Sequence, residues 1–365
     1  FGLPDALLLL VPIGSLFALV NAPSAGLSFK LSLVLLSLYG LYVLGRIYLQ
    51  SLDDVRKALP FVLASGLLIL SYAIFQNVRF LSGSDPFQVM PGRPDGGFPE
   101  PDWLGMYLVF FGVLLVSLGA AFRKDDGEAK WRRMAGHSAL FFSFAMLFTV
   151  LLMAVSRSAW LGMFVSGVIA TALFSYARKD MRAVGMNIGG ISVAFFVAVG
   201  LVVSIPLTNF DLSGRAGSIA SGNQEITVAC YSADTVLPQV LHTPDELALN
   251  GCRHINLEEI DAERAAGKSI QKVFRSDPNV EIRKDIYAKS WGEIQEHPVF
   301  GIGWGSISRI LGTDERGAGL NASNVFLEVW LGSGILGLVG LLGFFVVVVL
   351  RATRMFLGSD PEAGL

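Results

Sequence analysis

Residues 334–350 read Gly-Ile-Leu-Gly-Leu-Val-Gly-Leu-Leu-Gly-Phe-Phe-Val-Val-Val-Val-Leu, an apolar run that predicts a helix inside a lipid bilayer. Directly before this run, Asn324, Glu328 and Gly332 recur at a spacing of four residues, so they share one face of a helix. An unpaired carboxylate in hydrocarbon costs about 2.5 kcal/mol or more, and this face therefore predicts a hydrated cavity. The alternative is a packing face on which Glu328 forms an internal hydrogen bond.

The rest of the chain has the same apolar character. Hydrophobic residues make up 53% of it, charged residues 16%, and the mean hydropathy is +0.56, whereas soluble domains have roughly 25% charged residues. The composition predicts an all-α integral membrane protein, a polytopic helical bundle. Since the chain begins at Phe1 and ends soon after an apolar run, we expect segments to be missing at both ends. Eight spans are predicted, at residues 6–20, 29–49, 59–77, 103–122, 138–155, 159–177, 186–207 and 334–350.

The basic residues predict the orientation of these spans, because short cytoplasmic loops are enriched in Lys and Arg. Thirteen lie on one side, namely Arg46, Arg56, Lys57, Arg123, Lys124, Lys130, Arg132, Arg133, Arg178, Lys179, Arg182, Arg351 and Arg354. The opposite short connections hold three, Arg79, Arg93 and Arg157. We therefore expect three regions: a bundle of about seven spans at 1–207, a large extracytoplasmic loop at 208–323, and a re-entrant or terminal span with a cytoplasmic tail at 324–365.

The large loop contains both cysteines, Cys230 and Cys252. Their place on the oxidising side of the membrane predicts a disulfide, and two free buried thiols are the alternative. The stretch between them is expected to be irregular, and short helical signals occur elsewhere in the loop. One helix is predicted at about 278–296, with Asp277 as its cap and Pro298 after its end.

Several residues are candidates for chemistry, and each also has a purely structural interpretation. Arg157 lies between two spans, where a guanidinium can bind a phosphate or diphosphate, or can simply reach lipid headgroups. Arg283 lies on the predicted loop helix and is either a second phosphate ligand or a solvated charge. The segment Gly301-Ile-Gly303-Trp-Gly305 resembles the start of a phosphate loop, but no strand precedes it, and a tight turn is expected instead.

Other classes of site are not supported by the sequence. The chain contains no HExxH motif, no GxSxG motif and no cluster of Cys and His with the spacing of metal ligands. The histidines of the loop, His242, His254 and His297, are scattered along the chain. We therefore expect no metal, no cofactor, no nucleotide and no nucleic acid as a partner.

Three segments occur in an order that resembles the O-antigen ligase and O-antigen polymerase superfamily of bacterial envelope glycan assembly. The first is Ser-Arg-Ser-Ala-Trp-Leu-Gly at 156–162. The second is Arg283, followed by Trp291 and by His-Pro-Val-Phe-Gly-Ile-Gly at 297–303. The third is Ser-Asn at 323–324, then nine residues, then Gly-Ile-Leu-Gly at 334–337. The resemblance covers roughly residues 90–350, and Gly-Phe-Pro-Glu-Pro at 97–101 is a weaker part of it.

One position departs from the pattern of the ligases. They carry a histidine, thought to deprotonate the acceptor, where this chain has Ser323, and a serine hydroxyl is not a general base near neutral pH. Glu328, with Ser323 and Asn324 beside it, is therefore the expected catalytic group, and His297 and His254 are other candidates for the base. His297 and Arg93 are possible supporting residues. Alternatively, stabilisation of the leaving diphosphate carries much of the rate.

The resemblance implies a GT-C-like, metal-independent membrane glycosyltransferase of the bacterial inner membrane, with the large loop in the periplasm. Arg157 and Arg283 are then expected to bind the diphosphate of a saccharide carried on undecaprenyl diphosphate. The implied partners are lipid-linked oligosaccharide or polysaccharide and membrane lipids. The product is surface polysaccharide such as lipopolysaccharide, and the missing histidine favours a polymerase over a ligase. Two further interpretations stay open: a transporter of a small solute such as bicarbonate, and a protein that only binds lipid-linked glycan.

Overall fold

The computed structural model describes most of the chain. The described residues are 2–90, 92–121, 130–178, 181–205, 207–208, 212, 223–232, 235, 237–238, 240–241, 245–255, 259–276, 278–313 and 319–357. Asp277, the predicted cap of the loop helix, lies outside these residues.

Long apolar helices occur at all of the predicted spans, so the predicted all-α membrane fold class is confirmed. They are α1 (Leu3–Phe17), α2 (Ala25–Tyr48), α3 (Leu52–Leu81), α4 (Pro101–Ala121), α5 (Lys130–Ala154), α6 (Arg157–Arg178), α7 (Met181–Ser204) and, after the loop, a last helix (Val325–Leu357). Seven helices of the described chain are long and apolar enough to cross a membrane, and Arg157–Leu173 of α6 is a shorter apolar stretch.

The large loop contains a small sheet that the sequence analysis did not predict. Its elements are β1 (Asn223–Cys230), β2 (Val240–Leu241), α8 (Asp245–Leu249), β3 (Cys252–His254), α9 (Ile260–Ala265) and β4 (Ser269–Ser276). The strands form one four-stranded sheet in the order β2-β4-β1-β3, in which β1 is antiparallel to both β3 and β4. Strand β2 pairs with β4 in the parallel direction. The sheet buries an apolar cluster that includes Ile226, Val228 and Val273.

The predicted disulfide is confirmed. Cys230 and Cys252 are bonded to each other, with a sequence separation of 22 residues. They occupy opposite positions in the β1–β3 pair, and both are buried. The bond therefore joins two neighbouring strands and closes the stretch between them, which contains β2 and α8 rather than irregular chain alone.

The loop ends with α10 (Pro278–Glu296), which matches the predicted helix, and α11 (Ile307–Leu311) precedes the last helix, α12 (Val325–Leu357). The chain divides into two compact units: residues 1–58 with 277–365, and residues 59–276. In the first unit α12 packs along α1, since a Cβ atom added to Gly340 would contact Leu7 and Leu10. In the second unit α4 to α7 surround a core that includes Leu108 and Leu147.

Candidate functional site

Ser323 and Asn324 form the start of α12. The backbone N–H of Ser323 donates to Oδ1 of Asn321 at 2.9 Å, and Ser323 has a positive φ of 51°. Oδ1 of Asn324 accepts hydrogen bonds from the N–H groups of Phe326, at 2.9 Å, and Leu327, at 3.4 Å. Asn324 therefore caps the helix N-terminus, and its side-chain oxygen is already used by the backbone. The Ser323 side chain is left exposed at the point where the helix begins.

Glu328 is the fourth residue of α12 and lies in its first turn, four positions after the cap Asn324. Its backbone N–H donates to the Asn324 carbonyl oxygen at 2.9 Å, as in a regular helix. Its side chain is half-buried, and the backbone amide of Ala322 interacts with the carboxylate. The structure thus brings Ser323, Asn324 and Glu328 together within the first turn of the helix, as the sequence predicted.

Arg283 lies on the face of α10 that approaches Ser323, at the start of α12. Tyr287 is one turn after Arg283, so the two side chains are neighbours on the helix surface. The Tyr287 hydroxyl donates to the Ser323 carbonyl oxygen, with 3.5 Å between the two oxygen atoms. Arg283 is exposed. The face of α10 that carries these two residues therefore approaches the start of α12.

His297 does not belong to this group. It follows the last residue of α10 and lies ten positions after Tyr287, which corresponds to about 15 Å along a helix axis. The neighbouring Pro298 carbonyl accepts a hydrogen bond from the indole of Trp330 at 2.8 Å, and Trp330 lies well after Ser323 in α12. His297 therefore lies at the other end of α10 from Arg283, and its supporting role stays a prediction.

The predicted turn at residues 301–305 is present, and it has a second role. Gly301 and Gly303 have φ angles of 70° and 78°. The N–H groups of Ile302 and Gly303 both donate to the Leu331 carbonyl of α12, at 2.7 and 3.1 Å. The segment thus makes a turn and also donates two hydrogen bonds to a carbonyl of α12.

Leu331 lies three residues before a break in α12 at Gly334. Gly334 has φ 64° and ψ −170°, so α12 consists of two helices joined by a kink. The N–H of Ile335, the next residue, donates to the Val299 carbonyl at 3.0 Å instead of continuing the helix. Only the part after the kink coincides with the predicted span at 334–350. Glu328 therefore lies in a separate short helical segment and not in the middle of the long apolar one.

Arg157 is the first residue of α6, in the second compact unit. Val155 and Ser156 connect the end of α5 to the start of α6, and Val155 has a positive φ of 52°. Trp160 donates from its indole N–H to the Leu151 carbonyl at 2.9 Å, which ties the start of α6 to the end of α5. Ala159 is buried against Gly105 of α4. The Ser-Arg-Ser-Ala-Trp-Leu-Gly segment thus fixes the backbone from which Arg157 projects.

Arg93 contacts the same region of the second unit. Its Nε donates to the Ala154 carbonyl at 2.9 Å, and its Nη2 forms an ion pair with Asp102 at 3.2 Å. Arg93 therefore holds the connection between α5 and α6, close in sequence to Arg157. The supporting role of Arg93 stays a prediction. Its contacts suit a residue that fixes the backbone just before Arg157.

A cavity of about 110 Å³ lies at the other end of the helices of the second unit. It is lined by residues of the last turns of α4 and the first turns of α5 and α7, including Val116, His137 and Met186. Arg157 begins α6 and therefore lies at the opposite helix end. The cavity does not contain any of the predicted site residues.

The sequence analysis missed one group of potential ligands. Glu293, Glu296 and His297 have side-chain N and O atoms that all lie within 4.8 Å of one another. His297 therefore has two carboxylates close to it, although the histidines of the loop are scattered along the chain. The motif Glu-x-x-Glu-His places its side chains on adjacent turns of one helix. That spacing was a signal that could have been read from the sequence.

Comparison with known proteins gives one match. The family described as O-antigen ligase matches residues 141–342, which is more than half of the 365-residue chain and includes Arg157, Arg283 and Glu328. No curated protein and no solved structure matches the chain. The matched region and the membrane fold agree with the resemblance seen in the sequence. The chain belongs to the O-antigen ligase family.

Proposed function

We propose that this protein transfers a saccharide from a lipid diphosphate carrier to an acceptor hydroxyl at the outer face of the bacterial inner membrane. The observation that carries the proposal is the group at the start of α12. There a half-buried carboxylate, Glu328, follows a capped and exposed helix start at Ser323 and Asn324. The family assignment supports glycan chemistry of this type.

The proposed reaction is a single displacement at the anomeric carbon. The acceptor oxygen forms the new bond to this carbon while the bond from the carbon to the diphosphate oxygen breaks. The lipid diphosphate leaves with the electron pair, and the configuration is inverted. The acceptor proton passes to the Glu328 carboxylate, since the hydroxyl of Ser323 cannot accept it near neutral pH. The step needs no nucleotide, no cofactor and no metal ion.

Arg283 is proposed to bind the diphosphate. A guanidinium offers a planar set of donors that matches phosphate oxygens in pairs. Arg283 is exposed, and its neighbour Tyr287 contacts Ser323, which supports a role beside the proposed acceptor base. Arg157 is proposed as a diphosphate ligand on the strength of its sequence motif, and its own substitution tests this role.

The location follows from the distribution of charge. The excess of Lys and Arg on one set of short connections supports a multi-pass inner-membrane protein with a periplasmic loop. The disulfide between Cys230 and Cys252 supports an oxidising compartment for that loop. The donor is then lipid-linked oligosaccharide or polysaccharide on undecaprenyl diphosphate in the outer leaflet.

Within the family, Ser323 in place of histidine favours a polymerase over a ligase. The experiment is deletion of the gene, followed by analysis of the length of the surface glycan. Loss of long chains with single repeat units retained supports a polymerase, and accumulation of long lipid-linked chains supports a ligase. An unchanged glycan profile would contradict the proposed transfer and would favour a transport or binding role.

A further inference from the structure

The group formed by Glu293, Glu296 and His297 lies at the end of α10 and is held on a fixed backbone. The N–H of His297 donates to the Glu293 carbonyl at 2.9 Å, and the N–H of Gly301 donates to the His297 carbonyl at 3.0 Å. The next residue, Pro298, accepts the hydrogen bond from Trp330 of α12. These contacts fix the helix end from which the three side chains project, and a fixed backbone is what a metal site requires.

The last turn of α10 carries two carboxylates, Glu293 and Glu296. The last turn of α10 contains no basic residue, although the negative end of a helix dipole favours a cation and disfavours carboxylates. Across the described part of the chain, no ion pair joins Glu293 or Glu296 to a Lys or Arg. Within the residues that the structure describes, two carboxylates thus lie beside the carbonyl groups of a helix C-terminus without an ion pair to Lys or Arg.

Ser290 provides a second and independent observation. Its hydroxyl is fully buried, and among the described residues it has no hydrogen-bond partner. Ser290, Glu293 and His297 follow one another at intervals of three and four residues and so share one face of α10. Side chains in a helix lean back toward its N-terminus, so Glu293 and His297 lean toward Ser290. An unsatisfied buried hydroxyl costs about 1–3 kcal/mol, and a water bound to a metal ion would provide its missing partner.

We propose that Glu293, Glu296 and His297 bind one divalent cation. One imidazole nitrogen and two carboxylate oxygens suit Mn²⁺ or Zn²⁺ better than Ca²⁺ or Mg²⁺, which prefer oxygen alone. Three protein ligands leave coordination positions for water, one of which faces Ser290. The cation holds the end of α10 and the turn that follows it, which contacts α12 through the bond from Trp330 to Pro298. This site does not depend on the proposed glycosyl transfer.

The test uses the full chain purified in detergent and freed of metal with a chelator. Mn²⁺ is added as the probe, and its binding is followed by electron paramagnetic resonance and by the thermal unfolding temperature. We expect one Mn²⁺ per chain and a higher unfolding temperature on binding. His297→Ala and Glu293→Gln should each weaken binding by at least about tenfold and abolish the thermal shift.

Two variants serve as controls. Asp285→Asn removes a carboxylate from the same helix, and His254→Ala removes a histidine from the same loop. Both should bind Mn²⁺ as the wild type does. The proposal is overturned if the wild type binds no Mn²⁺ in a one-to-one ratio, or if His297→Ala and Glu293→Gln bind it as tightly as the wild type.

Discussion

The indole N–H of Trp304 donates a hydrogen bond to the Ser333 hydroxyl, with 2.8 Å between the nitrogen and the oxygen. Ser333 is the last residue before the kink in α12, and Trp304 lies in the turn after α10. The Trp304 ring also covers Gly332, where a Cβ atom would collide with the indole. Gly332, predicted as part of a polar cavity wall, therefore serves as a packing position. The turn after α10 therefore packs against α12 just before its kink and fixes the position of the helical segment that carries Glu328.

Gly334→Ala is expected to destabilise the protein strongly. The residue has a positive φ of 64°, and an added Cβ atom would collide with the Val299 carbonyl and the Phe300 backbone. With ψ of −170°, this conformation is adopted almost only by glycine and costs about 1–3 kcal/mol for a residue with a side chain, and the collision adds to this cost. Thermal unfolding of the purified protein measures the effect. Gly189→Ala, in α7, is the matched control, because no atom lies within 4 Å of its added Cβ; equal stability of both variants would refute the account of the kink.

Asp95→Ala is expected to destabilise the folded conformation of the segment that connects α3 and α4. The buried Asp95 carboxylate accepts hydrogen bonds from Nε2 of Gln76 at 2.9 Å, from Val89 N at 2.9 Å and from Gly97 N at 2.8 Å. Each buried donor left without a partner costs about 1–3 kcal/mol. Limited proteolysis should then cut residues 85–100 faster than in the wild type.

The exposed Asp85 provides the control for that experiment. Its carboxylate accepts a hydrogen bond in the same connection, from Phe87 N at 3.0 Å, and its backbone carbonyl accepts one from Arg79, which the substitution leaves in place. Asp85→Ala should leave the proteolysis rate close to that of the wild type. If Asp95→Ala and the wild type are cut at the same rate, the carboxylate does not hold this segment.

The helices could be predicted from the sequence because each one is a local feature. A run of about 20 apolar residues is visible without knowledge of its neighbours. The kink at Gly334 was different, since it depends on the turn at 298–303 that supplies Val299 as a partner. The predicted span at 334–350 begins at the kink, and the helical face predicted for Asn324, Glu328 and Gly332 lies in the separate segment before it.

The sheet was missed although part of its signal is present. Ile226, Val228 and Cys230 alternate with other residues, as in a half-buried strand, and all three are buried. Strand β1 pairs with the distant strand β4, from Asn223 with Ser276 to Cys230 with Ser269. A pairing at such a distance depends on tertiary contacts that no local pattern reveals. The disulfide, by contrast, was predictable from the compartment and the number of cysteines.

The sheet is expected to weaken in acid. Glu263 in α9 forms an ion pair with Lys268, with 2.7 Å between Nζ and Oε2, and its Oε1 accepts a hydrogen bond from Arg253 Nη2 at 2.6 Å. The hydrogen bond from Lys268, followed by that from Arg253, lowers the pKa of Glu263 below its usual value of 4.5. The stabilisation is therefore complete above this value and is lost as the pH falls through the lowered pKa of the folded state.

Hydrogen-exchange protection of β3 and β4 in the intact protein, between about pH 6 and about pH 3, measures this loss. Glu263→Gln removes the titrating group, so its protection should be lower at neutral pH and should change less with acid. An equal loss of protection in both proteins on acidification would show that other groups control the stability of the sheet.

The start of α12 could be predicted only in part. Asn324 and Glu328 were identified by their spacing, because that spacing is local to one helix. The contact between Tyr287 and Ser323 was not predicted, since it joins residues 36 positions apart. Because Tyr287 contacts Ser323, the face of α10 with Arg283 lies near the start of α12, whereas His297 lies at the other end of α10. The order of the motifs along the chain does not distinguish these two positions.

Arg283→Ala and Arg157→Ala are each expected to abolish the surface glycan while the protein stays in the membrane. Each substitution removes a guanidinium proposed to bind the diphosphate, and hydrogen bonds to charged groups contribute about 1.5–3 kcal/mol. Gel analysis of extracted glycan, with immunoblotting of the membrane fraction, gives the result. Lys284→Ala, which removes the adjacent exposed charge on α10, should retain the glycan. Normal glycan in both arginine variants would exclude their proposed role.

The central claim is that Glu328 accepts the acceptor proton during saccharide transfer, and the rate of transfer by the purified protein tests it most directly. The assay contains undecaprenyl diphosphate-linked saccharide and acceptor, with wild type, Glu328→Gln and, as a control, Glu246→Gln. Removal of a general base lowers a rate by about 10²–10⁴-fold. We predict a loss of that size in Glu328→Gln and a normal rate in Glu246→Gln. A normal rate in Glu328→Gln would contradict the account.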